Sequence, residues 1–199
     1  MASYQKRLDP QTARVLRDHE VGGRAALPAL APVESALAAC RADVGPSPAM
    51  VAEDAHCFPP FYTAPDQMLL LQHVVEQRGE EWHYLCAGVV ESASGRAEAR
   101  QALLRARLNA LPTLASQKLS LPEIRSRCRR PIASDLFHAA LANCGLAHGP
   151  TYRTLRDIAA GHHEAVATLA LPLGELPSAQ MLEAALCVLR LAMARKLDG

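Results

Sequence analysis

The chain has 199 residues, half of them hydrophobic and 21% charged, with 21 basic side chains against 20 acidic ones. That length suits one ordinary domain or two small fused halves. The near-neutral balance excludes a general electrostatic grip on nucleic acid or on an anionic membrane.

The first twenty residues are polar and read as extended or loop chain. His19 to Pro28 (HEVGGRAALP) is dense in glycine and closed by proline, and Pro32 then opens a short helix whose Val33, Ala36, Leu37 and Cys40 form one apolar face. Segments from Ala49 to Phe58, Gln67 to Glu76 and Glu81 to Glu91 are rich in strand formers and separated by turn-like punctuation. Ala97 to Leu108 has a helical composition, yet Leu104, Ala106 and Leu108 alternate with Arg105 and Arg107, so a strand is expected. Residues 110 to 131, with three prolines and the cluster Arg125, Arg127, Arg129 and Arg130, read as a solvated linker. Ser134 is expected to cap a helix through Phe137 and Leu141 that Gly145 ends. Strands follow around Leu155 to Ala159 and His163 to Leu171, with His162 and His163 in a solvated turn. Ser178 is expected to cap the longest helix, Ala179 to about Lys196, apolar on nearly every side.

No apolar stretch is long enough to cross a bilayer, and the first residues lack the apolar core of a signal peptide, so a cytoplasmic protein is expected. Cys40, Cys57, Cys86, Cys128, Cys144 and Cys187 form no CxxC pair, so no metal site is expected and the cysteines read as small hydrophobes.

Two spacings carry more information. The first is His19-x-x-x-Gly23-x-x-x-x-Pro28, preceded by Asp18. The second is Gly145-Leu-Ala-His148-Gly149-Pro150-x-Tyr152. They resemble the HxxxGxxxxP and GYxYGPxF motifs of the dehydratase domains of polyketide synthases and related fatty acid synthases. A third match is partial: the family's HPxxLDxxxQ is similar to the stretch from Ser178 to Cys187, with Glu183 in place of the aspartate and Cys187 in place of the glutamine.

The resemblance implies an α+β double hotdog, two antiparallel sheets each laid on a long helix, with its second half abbreviated. The halves would be residues 1–112 and 134–199, joined by a linker at 113–133. A fragment, a covering partner chain or a reduced relative would each account for the short second half. The resemblance also implies a 3-hydroxyacyl substrate on the phosphopantetheine arm of an acyl carrier protein, with no cofactor bound directly. Other expected partners are neighbouring synthase domains and, as an option, a second copy in a homodimer.

In that chemistry His19 is the base, since a neutral imidazole titrates near working pH. Glu183 is the candidate acid, a role that needs a dry site to keep a carboxylic acid protonated. Gly23, Pro28, His148, Gly149, Pro150, Tyr152 and Cys187 are the candidate substrate-binding residues, and a backbone N–H near Gly23 is a candidate donor to the thioester oxygen. Plainer readings stand beside these. A glutamate early in a helix suits the helix dipole, His148 fills space, Tyr152 packs on its helix, and Cys187 is an apolar filler. The altered acid leaves two rivals open: a proton-moving relative (double-bond isomerisation, ring closure or chain branching) and a non-catalytic structural domain.

Overall fold

The computed structural model describes residues 1–44, 50–64, 66–79, 81–92, 94–110, 119–170 and 178–193. The chain divides into two compact units, Met1–Leu114 and Ala115–Gly199.

In the first unit the elements run β1 (Ala2–Leu8), α1 (Arg14–Arg17), β2 (His19–Val21), β3 (Arg24–Leu27), α2 (Ala31–Val44), β4 (Met50–Cys57), β5 (Phe61–Tyr62), β6 (Met68–Arg78), β7 (Glu81–Glu91) and β8 (Ala97–Ala110). Strands β1, β6, β7, β8 and β4 form one antiparallel sheet in that order. The alternation read in β8 is real: Leu104, Ala106 and Leu108 are buried while Arg105 is exposed and Arg107 pairs with Asp54 and Glu81. In β6, Leu69, Leu71, His73 and Val75 are buried at the two-residue period of a strand, and Leu70 between the first two is buried as well. Helix α2 packs against β6 and β8 and buries Ala36 and Ala39, small side chains that let it lie close. The N-terminal stretch expected as polar extended chain is β1, an edge strand. Its exposed positions follow from having a neighbour on one side only.

A buried polar chain ties the start of α2 to the sheet. His73 Nδ1 donates to the Tyr84 hydroxyl at 2.6 Å, and that hydroxyl donates to the Pro32 carbonyl at 3.2 Å. Burial pushes the Tyr84 hydroxyl pKa well up, so it stays a donor. Phe61 of β5 lies over Gly88 of β7, where an added Cβ would sit 2.8 Å from the phenyl ring. That contact leaves room only for glycine.

The second unit contains α3 (Leu121–Arg127), β9 (Arg130–Ile132), α4 (Ser134–Asn143), β10 (Leu146–His148), a single 3-10 turn (Pro150–Tyr152), β11 (Leu155–Ala160), β12 (Ala165–Leu169) and α5 (Ser178–Met193). Its three-stranded antiparallel sheet runs β12-β11-β9. Phe137, Leu155, Ile158, Ala184 and Cys187 form the core between that sheet, α4 and α5.

Two details differ from the sequence expectation. Helix α3 and β9 occupy the stretch expected as linker, because Pro122 stands in the first turn of a helix, where proline is tolerated, and does not break one. Ser134 is the first helical residue of α4 and not its cap; the cap is Ala133, and the Ser134 hydroxyl donates to the Leu155 carbonyl at 3.0 Å. Gly145 does close α4, at φ 86° directly after the last cap residue. Leu171, the end of the last expected strand, lies outside the described residues, as do the side chain of Ser178 and residue Lys196.

Gly88→Ala is expected to cost about 1–3 kcal/mol by overpacking against Phe61, read as a lower urea midpoint for the wild-type sequence with this one change. Burial lowers the His73 pKa, with the Lys6 charge adding to it. The unfolded chain therefore binds the proton more readily, and His73 adds stability above its unfolded pKa near 6.5 that is lost as pH falls below it. His73→Phe should flatten the acid side of a stability-against-pH curve; an unchanged slope between pH 7 and 5 would assign the loss to other groups.

Candidate functional site

His19 opens the tight hairpin of β2 and β3. Glu20 faces Ala25 and Val21 faces Arg24 across it, leaving Gly22 and Gly23 as the two turn residues. Both have positive φ, 60° and 74°, as a type I′ hairpin loop requires and as glycine adopts without steric cost. Nothing lies within 4 Å of where a Cβ would stand at either glycine, so conformation and not crowding demands glycine here. Pro28 ends the hairpin, and its carbonyl accepts the Ala31 N–H as α2 begins.

The hairpin register decides the state of the His19 ring. His19 is 4% exposed, and its Nδ1 lies 2.9 Å from the Ala26 carbonyl oxygen. A carbonyl only accepts, so Nδ1 carries the hydrogen and Nε2 of the neutral ring keeps its lone pair. An imidazole oriented and tautomer-fixed in this way is a ready proton acceptor. Asp18, also buried, is paired with the Arg17 side chain at 3.2 Å.

In the second unit the GLAHGPTY segment forms β10, the turn and the 3-10 turn. Gly149 has φ −76°, so no left-handed conformation is asked of it, and Pro150 starts the 3-10 turn. Arg153 Nε donates to the His148 carbonyl at 2.9 Å, which closes the segment. His148 and Tyr152 are both buried, with ring centroids 5.5 Å apart, and the turn bearing Tyr152 packs on α5, as expected for that tyrosine.

Glu183 lies on α5 and is 3% exposed, although a carboxylate early in a helix ordinarily faces water. A His148 ring nitrogen and a Glu183 carboxylate oxygen lie within 4.8 Å of each other. Cys187, one turn on, points its Sγ at Glu183 Oε1 at 4.0 Å. Burial, with the Glu183 charge adding, pushes the Cys187 thiol up to about 12, which keeps it protonated and inert as a nucleophile. An apolar cavity of about 680 Å³ opens beside Cys187, between β9, α4, β10 and α5, and neither His148 nor Glu183 lines it.

Sequence reading missed His138. It sits on α4 next to Phe137, 3% exposed, with its ring 5.7 Å from that of His148. A lone histidine in a helical stretch gives no local signal that it faces another buried histidine.

Each unit thus presents an antiparallel sheet laid against one long helix, and each holds a buried proton-carrying side chain near the start of an element. This is the hotdog class of α+β fold. The family model described as polyketide synthase dehydratase domain matches residues 2–85, and the one described as polyketide synthase dehydratase N-terminal domain matches residues 116–181. The chain belongs to the polyketide synthase dehydratase family.

Solved structures agree on the fold. A trans-AT polyketide synthase dehydratase domain from Brevibacillus brevis is 18% identical with TM-score 0.82, over 98% of this chain and 71% of that one. The CurK dehydratase with an aspartate replaced by asparagine, described as an inactive mutant, is 16% identical with TM-score 0.83, over 97% of this chain and 70% of that one. The CurK dehydratase with a histidine replaced by phenylalanine, also described as inactive, is 16% identical with TM-score 0.83, over 96% and 70%. No curated protein sequence matches the chain significantly. Among the described residues no helix is long and apolar enough to cross a membrane.

Among the described cysteines, Cys57 and Cys144 are exposed and Cys86, Cys128 and Cys187 are buried. Alkylation of the native protein near pH 8, read by peptide mass, is expected to label Cys57 and Cys144 and to reach Cys187 only after unfolding. Labelling of native Cys187 at the rate of Cys144 would mean a reactive thiol and would overturn its assignment as a filler.

Proposed function

We propose that this chain is a dehydratase of a polyketide assembly line, a lyase acting in the cytoplasm on a 3-hydroxyacyl chain that an acyl carrier protein delivers on its phosphopantetheine arm. His19 Nε2 takes a proton from the carbon next to the thioester. The electron pair of that C–H bond becomes the new double bond, the bond to the β-oxygen breaks, and Glu183 gives that oxygen a proton so that it leaves as water. His19 ends the step protonated and Glu183 ends it as a carboxylate; proton exchange with water resets both. The observation that carries this reading is the His19 ring, buried and held through Nδ1 by the Ala26 carbonyl so that Nε2 is the basic atom. The inactivity of a related dehydratase once a histidine or an aspartate is replaced supports a two-residue mechanism. Substrate contacts are assigned to Gly23, Pro28, His148, Gly149, Pro150, Tyr152 and Cys187, with a backbone N–H near Gly23 to meet the thioester oxygen. Neighbouring synthase domains and, in a homodimer, a second copy complete the assembly in this reading.

Glu183 stands where the family has aspartate, and the extra methylene moves the acid outward. A displacement of about one ångström can cost roughly a hundredfold, and that favours a second reading in which His19 alone moves protons, as in double-bond isomerisation, ring closure or branching. Intact-mass analysis of a carrier protein loaded with a 3-hydroxyacyl chain separates the two. Loss of water with the wild type is expected, with His19→Ala and Glu183→Gln each slower by roughly a hundred- to ten-thousandfold. No loss of water, together with His19-dependent entry of deuterium next to the thioester, would establish the proton-moving reading. Neither change, with carrier protein still bound, would make the chain a structural domain.

A further inference from the structure

The second unit buries an imidazole for which the proposed reaction has no use. Neither ring nitrogen of His138 meets a hydrogen-bond partner among the described residues, although the side chain is 3% exposed. A neutral imidazole carries one donor and one acceptor, and leaving both unspent in a buried place destabilises the fold. Burial lowers the His138 pKa, and Arg153 and Arg156 add to this against the opposing charge of Asp135, so the ring is neutral at working pH. The ring lies 5.6 Å from that of Phe137 and 5.7 Å from that of His148. His148 in turn has a nitrogen within 4.8 Å of the Glu183 carboxylate. The three polar groups follow one another from α4 through β10 to α5.

We propose that His138 is a positioning residue that acts on Glu183 through His148. The two imidazoles share a hydrogen bond across one water that fixes the rotation and tautomer of the His148 ring. His148 then presents a defined nitrogen to Glu183 and holds its carboxyl in one orientation. A glutamate, with one more rotatable bond than aspartate, has more orientations to lose, so a group that restrains it has more effect here than beside a shorter acid. The inference rests on the dehydratase reading of Glu183.

The test compares the full chain with His138→Phe, His138→Gln, His148→Phe and the double variant carrying both phenylalanines, using the carrier-loaded 3-hydroxyacyl substrate. His138→Phe is expected to lower kcat roughly tenfold with KM unchanged, a coupling within the range for neighbours in one network. His138→Gln, which keeps a donor and an acceptor, should recover most of the loss, and it serves as the probe if the phenylalanine variant does not fold. In the His148→Phe background, adding His138→Phe should change nothing further. An equal loss in both backgrounds overturns the proposal. So does an unchanged kcat with a raised melting temperature, the result for a purely structural imidazole replaced by an apolar ring. Nitrogen NMR of the His148 ring gives a readout independent of turnover. A tautomer or chemical shift moved by His138→Phe upholds the coupling, even with a wild type that dehydrates nothing, in which case the dehydratase reading alone fails. An unmoved His148 signal overturns the coupling whatever the kinetics show.

Discussion

The hydrogen bond from His19 Nδ1 to the Ala26 carbonyl, 2.9 Å long, is the interaction on which the functional reading depends. It exists because the turn between β2 and β3 has two residues, which places position 19 opposite position 26. This two-residue turn has positive φ at both central positions, as a type I′ turn needs, and Gly22 and Gly23 supply it. Backbone conformation, strand register and the chemical state of one imidazole are thus a single chain of cause. A longer turn or a shifted register would leave the ring free to flip, and either nitrogen could then carry the hydrogen.

The second unit meets a different problem. Its polar groups come from α4, β10 and α5, so their spacing depends on how helices and strand pack and not on one local turn. His138, His148, Tyr152 and Glu183 are all nearly inaccessible. Burying so many polar groups is unfavourable unless they serve one another or a substrate. Cys187 shows the apolar limit of the same environment, since its thiol is pushed up to about 12 and takes no part in proton traffic.

The first unit uses a buried polar chain for stability instead. His73, Tyr84 and the Pro32 carbonyl satisfy one another, each bond adding about 0.5–1.5 kcal/mol net, and they fix where α2 begins against the sheet. The contrast with His138 is instructive. His73 meets its hydrogen-bond partner within the sheet, whereas neither ring nitrogen of His138 meets one among the described residues.

Much of this was written in local sequence. The alternation in β8 identified a strand against its helical composition because period, not propensity, records which face is buried. The paired glycines, the closing proline and the glycine that ends α4 marked turns, since those backbone conformations admit few other residues. The motif around His19 marked that histidine as the candidate base. What the sequence could not give were relations between distant positions. The edge strand β1 was hidden because its partner β6 lies about sixty to seventy residues away and its own pattern is mostly polar. Helix α3 was hidden by a proline that looks the same whether it starts a helix or interrupts one. Ser134 read as a cap, but its hydroxyl is claimed by Leu155 from another element. The tautomer of His19, the burial of Glu183 and the facing of His138 to His148 were decided by tertiary structure alone, because each depends on which atom of a distant element arrives within hydrogen-bonding or van der Waals reach.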